Sequence, residues 1–330
     1  MEFKVSVLGC GSAFPLPGRL SSSQLVQADG NFMLLDCGEG TQLQLRRFGL
    51  KMQRIQHVLI SHLHGDHVFG LPGLLSTFNL LGRKSDLHIY AHAELKKPLM
   101  QNVYAFMHEL SYKIVFHQLS KTDREIIFED EKWELFSFPL SHRIPVCGFL
   151  IRQKPGALHL RKHVKELYRI PLKSIPLIKG GADFTTDTGE LIPNHELTFP
   201  PAPPCSYAYC TDTLPLENAV PYYAGATLLY HEATFLDSDA SMATATFHST
   251  AVQAARMATL AGATHLLLGH YSARYSDLIP LLVEARGHFP EVTLASDGLK
   301  IEIGKGVVQF GLPKKGGLPH RESDTHYTPE

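Results

Sequence analysis

The stretch Ser61-His62-Leu63-His64-Gly65-Asp66-His67 sets three imidazoles and one carboxylate within six residues, directly after the apolar run His57-Val58-Leu59-Ile60. These are the ligand types that a zinc ion takes. A buried strand ending in a glycine-containing turn is a rigid mount for them. In an extended chain alternate side chains share a face, so His62, His64 and Asp66 are expected to converge while His67 points elsewhere. That suits two adjacent metals better than one. A lone histidine after a strand is usually a satisfied core residue, but the spacing H-x-H-x-D-H has no such bland explanation.

Other strand ends carry the same chemistry. Phe138-Pro139-Leu140-Ser141 leads to His142, Ser206 to Thr211 leads to Asp212, and Thr264 to Gly269 leads to His270. Seven candidates result: His62, His64, Asp66, His67, His142, Asp212 and His270. Two four- to five-coordinate ions need about six to eight ligand positions, counting a bridging carboxylate and a bridging water. Cys210 shares a face with Asp212 and a thiolate binds zinc well, yet the seven complete the site and Cys210 reads as packing. Asp36 and Glu39, closing the strand at Phe32 to Leu35, can orient ligand histidines. His231-Glu232 ends another strand, and His248 opens a helix at Ser249-Thr250.

The elements that must position these groups are short apolar strands alternating with helices. Helices are expected over Thr41 to Phe48, from Gly70 onward with Pro72 in the first turn, over Leu95 to Met107, after His248, and over Leu278 to Arg286. Each half of the chain ends several strands in His or Asp and then starts a helix. A sandwich with its site along one edge produces that pattern. With 330 residues, 44% of them hydrophobic and 19% charged, the chain buries a sizeable core in one or two domains. Met1 to Val7 reads as a strand and lacks the apolar core of a signal peptide, and no apolar run is long enough to span a membrane. The five cysteines (10, 37, 147, 205 and 210) are odd in number and show no C-x-x-C spacing, which favours a reducing, cytoplasmic location.

The net charge of −1 gives no general affinity for polyanions, so a nucleic-acid binder of this composition must concentrate its basic residues. It does so over 152–200. Between Arg152 and Lys179 stand Arg152, Lys154, Arg161, Lys162, Lys165, Arg169, Lys173 and Lys179, against the single acid Glu166. Either this is a binding arm or a solvated loop between half-domains. The polar stretch 314–330 has little to pack and is expected to be a disordered tail.

His62-Leu63-His64-Gly65-Asp66-His67 resembles the signature of the metallo-β-lactamase superfamily. Tyr209-Cys210-Thr211-Asp212-Thr213, His231-Glu232-Ala233-Thr234, the later His248, and Leu268-Gly269-His270-Tyr271-Ser272-Ala273-Arg274-Tyr275 resemble the ribonuclease Z branch, over about residues 1–310. The resemblance implies an α/β fold, the metallo-β-lactamase αβ/βα sandwich of residues 1–310, with 152–200 as an inserted flexible tRNA-binding arm. It implies two Zn2+ per subunit: His62, His64 and His142 on one, Asp66, His67 and His270 on the other, and Asp212 bridging. It further implies that Asp66 accepts a proton, that His248 protonates the leaving oxygen with Glu232 fixing its ring, and that Arg274 meets a phosphate. The implied activity is hydrolytic removal of the 3′ trailer from precursor tRNA by a cytoplasmic homodimer with no membrane or DNA partner. The rival readings are a small-molecule metallohydrolase (a phosphodiesterase, or a lactone or thioester hydrolase) with the same cluster, and a non-catalytic RNA-binding module with structural zinc.

Overall fold

Runs such as Leu228-Leu229-Tyr230 and Leu266-Leu267-Leu268 are apolar without alternation, the mark of parallel strands covered on both faces. In the computed structural model, which describes residues 2–304 and 307–311, they lie in one of two large sheets. The first sheet runs in the order Val307–Gly311, Lys300–Gly304, Phe3–Gly9, Ser23–Ala28, Asn31–Leu35, His57–Leu59, Leu87–Ala91, Ile114–Gln118. The second runs Val292–Leu294, His265–Gly269, Leu228–Glu232, Ser206–Cys210, Cys147–Gln153, Trp133–Pro139, Glu125–Glu129. Four neighbouring strands of each sheet are parallel, those ending at Leu35 and Leu59 in the first and at Cys210, Glu232 and Gly269 in the second among them.

The sheets face each other across a core that holds Val5, Val7, Leu59 and Tyr90 from one and Trp133, Phe149, Tyr209 and Leu267 from the other. Trp133, read from the sequence only as core, packs its indole at a tilt against the Phe3 ring, the centroids 4.6 Å apart. Helices Thr41–Arg47, Leu71–Leu80 and Lys96–Met107 cover the outer face of the first sheet through Leu45, Leu74, Phe78 and Leu99. Ala251–Ala261 and Ile279–Arg286 cover the second. The helix Ala251–Ala261 starts on a reciprocal cap between Thr250 and Gln253 and stops at Gly262, whose φ of 59° suits glycine. The result is the αβ/βα sandwich. Its parallel strands end along one edge, where Asp36, His62, Asp212, Glu232 and His270 emerge.

Two expectations need correcting. The stretch after His64 does not stay extended: a helical turn, Gly65–Val68, begins there. Helical rotation replaces strand alternation, so Asp66 leaves the face of His62 and His64 and joins His67 instead. The insert also starts later than Arg152. That residue is within the strand Cys147–Gln153, paired with Ser206 and bound through its guanidinium to Glu134 at 2.9 and 3.0 Å, while Lys154 meets Glu129 at 2.9 Å. Both charges serve the sheet.

Beyond them the insert is a folded knob. His159–Leu160 pairs with Thr198–Phe199 and Phe184–Thr185 with Leu191–Ile192, around a separate core of Val164, Ile170, Ile178, Ile192 and Leu197. Arg161, Lys162, Lys165, Arg169 and Lys173 remain exposed on it, and none makes an ion pair among the described residues. The knob's two ends meet, since Gln153 N–H donates to the Cys205 carbonyl at 2.9 Å. The tail expected over 314–330 lies outside the described residues, among which no helix is long and apolar enough to cross a membrane.

Candidate metal centre

The seven side chains singled out at strand ends come together in two adjoining groups. His62, His64, His142 and Asp212 each offer a donor atom within 4.8 Å of the others, and so do Asp66, His67 and His270. Asp212 stands between the groups. Its Oδ2 lies 3.5 Å from His62 Nε2 and 3.9 Å from His142 Nε2, while its Oδ1 lies 3.2 Å from His67 Nε2 and 3.1 Å from His270 Nε2. One carboxylate oxygen therefore faces each group.

The rings are held by partners behind them, which assigns their tautomers from the hydrogen-bond network. Asp36, buried at the end of its strand, accepts from the backbone N–H of Ser61 at 2.8 Å, the Ser61 hydroxyl at 2.9 Å, the Tyr209 hydroxyl at 2.9 Å and His67 Nδ1–H at 2.7 Å. Because Ser61 gives its one proton to Asp36, it accepts from His62 Nδ1–H at 3.0 Å. His142 Nδ1–H donates to the Phe247 carbonyl at 2.9 Å. Each of these rings thus commits Nδ1 to its holder and turns Nε2 inward. His62 Nε2 then faces His64 Nδ1 at 3.0 Å, and His64 Nδ1 faces His142 Nε2 at 3.2 Å. Three ring nitrogens thus converge with at most the one proton of His64 Nδ1 to share among them, so the donor set fits a metal ion. Asp36, Asp66 and Asp212 add negative charge that also calls for one.

The electrostatics agree. Burial, reinforced by His67, pushes His62 down to about 4, so it is a neutral donor. Burial opposes charge on His67 as well, but Asp212, Asp36 and Asp66 outweigh it and hold this imidazole well above its ordinary value. Burial likewise opposes ionisation of Asp66, yet His67 and His270 keep that carboxyl low.

Beside the donors lies a second constellation. Glu232, fully buried, accepts from His248 Nδ1–H and the Thr213 N–H through Oε1, both at 2.8 Å. Burial alone would lower His248, but the Glu232 carboxylate raises it to about 9. A cavity of about 410 Å³ opens over both constellations, with Asp66, Asp212, His248, His270, Thr234 and Ser272 in its wall. Arg274 lies over the Phe235 ring, 5.0 Å from its centroid, and donates to Ser272 Oγ at 3.2 Å.

Backbone strain concentrates here. Asp36, Asp212 and His270 have φ of 55°, 42° and 58°, left-handed values that non-glycine residues seldom adopt. Close approach supplies the rest: a Cβ on Gly38 would stand 2.3 Å from the Asp66 carbonyl oxygen, and one on Gly269 2.4 Å from the Tyr230 ring. Of the sequence candidates for orienting roles, Asp36 takes that position. Glu39 does not, being exposed at the start of the turn before Thr41. Cys210 is buried with its thiol pushed up by burial and belongs to neither donor group. Ser61, Tyr209 and Thr234 were missed by sequence reasoning. Their only signal is a hydroxyl within three residues of an acid or a ligand.

Residues 3–140 match a family model described as Anti-Pycsar protein Apyc1. Ribonuclease Z of Phocaeicola vulgatus is 46% identical over 302 residues, covering 92% of this chain and 98% of its own. Ribonuclease Z of Porphyromonas gingivalis is 44% identical over 301 residues, covering 91% and 99%. Among solved structures, human tRNase Z, short form, matches with a TM-score of 0.66 and 29% identity over 91% of this chain and 99% of its own. The metallo-β-lactamase fold protein YhfI of Bacillus subtilis matches with a TM-score of 0.65 at 21% identity, covering 92% and 100%, and so shares the fold. Built on the metallo-β-lactamase sandwich, the chain belongs to the ribonuclease Z family.

Proposed function

We propose that this chain is a metal-dependent endoribonuclease that removes the 3′ trailer from precursor tRNA, leaving a 3′-hydroxyl on the tRNA and a 5′-phosphate on the trailer. The observation that carries the reading is Asp212, one oxygen toward each donor group, beside the Glu232–His248 pair on an open cavity. His62, His64 and His142 are the residues for one ion, Asp66, His67 and His270 for the other, with Asp212 shared. Zinc, two ions per subunit, suits these nitrogen and oxygen donors. Bound there, a pair of divalent ions supplies hydroxide at neutral pH and neutralises charge on the phosphate.

The chain's own groups do the rest. Asp66, pinned by the Ala13 N–H at 2.8 Å, presents its carboxylate at the cavity wall to accept the nucleophile's proton. His248 carries a proton on Nε2 toward the leaving 3′ oxygen, while Glu232 holds Nδ1–H and stabilises the imidazolium. Cations nearby would bring its raised value back toward neutrality, where an acid of this kind works best. Arg274, braced on Phe235, meets a substrate phosphate at the rim.

The knob supplies the tRNA contact: its exposed Arg161, Lys162, Lys165, Arg169 and Lys173 suit backbone and shape recognition of folded RNA. A homodimer is supported by exposed apolar side chains on two packed helices and the adjoining turn, namely Phe69 (73% exposed), Leu80 (84%), Tyr104 and Phe106 (79%). A cytoplasmic location is supported by five buried cysteines, none of them paired.

The test joins Gln153 to Cys205 through a short linker, which their hydrogen bond permits, and compares two substrates. We expect the knobless protein to keep hydrolysis of a small phosphodiester and to lose most cleavage of a trailer-bearing tRNA precursor. Undiminished precursor cleavage would overturn the arm assignment. A wild-type protein that cleaves only the small ester would favour the small-molecule phosphodiesterase reading.

A further inference from the structure

The Thr234 side chain touches both constellations, and no role in the reaction as described so far falls to it. It is 4% exposed, and its Oγ has four polar neighbours. Two can only accept: Glu232 Oε2 at 2.6 Å and the His270 carbonyl at 2.9 Å. The others are ring nitrogens, His270 Nδ1 at 3.0 Å and His248 Nδ1 at 3.4 Å. A hydroxyl owns one proton. The shortest contact, to a buried carboxylate, takes it, because a charge-assisted bond outweighs a neutral one. The oxygen is left as an acceptor for His270 Nδ1–H. His248 Nδ1–H already donates to Glu232 Oε1 at 2.8 Å and makes no demand on it.

From this proton accounting we infer that Thr234 is the positioning residue that ties His270, and through it the Asp66–His67–His270 donor group, to Glu232. It fixes His270 with its proton on Nδ1 and Nε2 bare toward Asp212 and His67. Every other Nε2-donating ring in the centre has its own holder: Asp36 for His67, Ser61 for His62 and the Phe247 carbonyl for His142. Thr234 is the holder for the fourth. Glu232 thereby serves two tasks through two oxygens, orienting His248 with Oε1 and His270, by way of the hydroxyl, with Oε2. Its Oε2 also accepts the Thr234 backbone N–H at 3.1 Å, so the carboxylate stays in place when the hydroxyl is removed.

The inference rests on the metal-binding reading above, and its test separates the two. Metal-free full-length protein is titrated with zinc against a chromophoric chelator, for wild type, Thr234→Val and Thr234→Ser, with thermal unfolding of each metal-free protein as the control for folding. Valine keeps shape and removes only the hydroxyl; serine keeps the hydroxyl and removes the methyl. Loss of an outer hydrogen-bond partner of a metal-bound histidine costs about 10–100-fold in affinity. Thr234→Val is therefore expected to weaken one of two zinc-binding events by about that factor and to leave the other within about threefold. Thr234→Ser is expected to restore wild-type binding. Two events of unchanged affinity in Thr234→Val, or weakening in Thr234→Ser as large as in the valine variant, would overturn the inference. Absence of zinc binding by wild type would instead overturn the metal reading on which it stands.

Discussion

The acid role of His248 can be separated from any role in holding metal by changing the leaving group. Its Nδ1 is committed to Glu232 at 2.8 Å, so Nε2 is the atom free to give a proton, and the ring borders the cavity. A 3′-alkoxide leaves poorly because its conjugate acid is about as weak as water, whereas a thiol ionises at about 8.5. General-acid help is worth about 10²–10⁴-fold. His248→Ala is accordingly expected to cut the precursor with the natural 3′ oxygen about 10²–10⁴-fold more slowly. With sulfur in place of the scissile 3′ oxygen, the loss is expected to shrink to within about tenfold, since a thiolate needs no proton. The assay is single-turnover cleavage of both substrates by wild type and variant at equal metal occupancy, with metal content measured alongside. Equal losses on both substrates would refute the acid role. Asp212, His248 and His270 can also converge on one ion, so a fall in bound metal in the variant would place His248 among the ligands.

Three other perturbations test the scaffold. Asp36→Asn leaves one oxygen where four donors converge; unfolding in urea should show a loss of about 3 kcal/mol, and metal titration a weakening of about 10–100-fold at His67. Gly38→Ala drives a methyl against the Asp66 carbonyl at 2.3 Å, so crystallography or metal titration should show the Asp66 turn displaced and its ion bound more weakly. The third concerns pH. Burial and the neighbouring His88 and His117 lower His57 to about 4, below the unfolded value near 6.5. The unfolded chain therefore binds a proton first as pH falls, and this contribution to stability is complete above about 6.5 and lost toward 4, on the order of 3 kcal/mol. Unfolding free energies of wild type and His57→Gln across that window should differ in slope, and parallel curves would contradict the assignment.

Much of this site can be read from the sequence because the fold ends its strands on one edge. A polar residue after an apolar run is then a residue at the site, and His62, Asp212 and His270 are visible for that reason. Other features leave no such trace. The turn Gly65–Val68 is too short to show helical periodicity, so alternation suggested the wrong partners for Asp66 and His67. Ser23–Ala28 hides as a strand because polar residues fill its start, with Gln24 buried against the Tyr207 hydroxyl. The knob's strands are two residues long, below any readable period, and its core comes from apolar residues scattered among prolines and lysines. Charge counting alone credited the arm with Arg152 and Lys154, because ion pairing to Glu134 and Glu129 depends on cross-strand register. Thr234 stands in a quoted motif, but its role leaves no trace in the sequence because it depends on where one proton goes.

The most direct measurement is end-mapped cleavage of a tRNA precursor carrying a 3′ trailer, run with the purified protein as isolated, after exhaustive chelation, and after zinc is restored. The account predicts one cut that leaves a tRNA 3′-hydroxyl and a trailer 5′-phosphate, abolished by chelation and regained with about two ions per chain. Cleavage that persists in protein shown to hold no metal, or ends bearing a 2′,3′-cyclic phosphate, would contradict it.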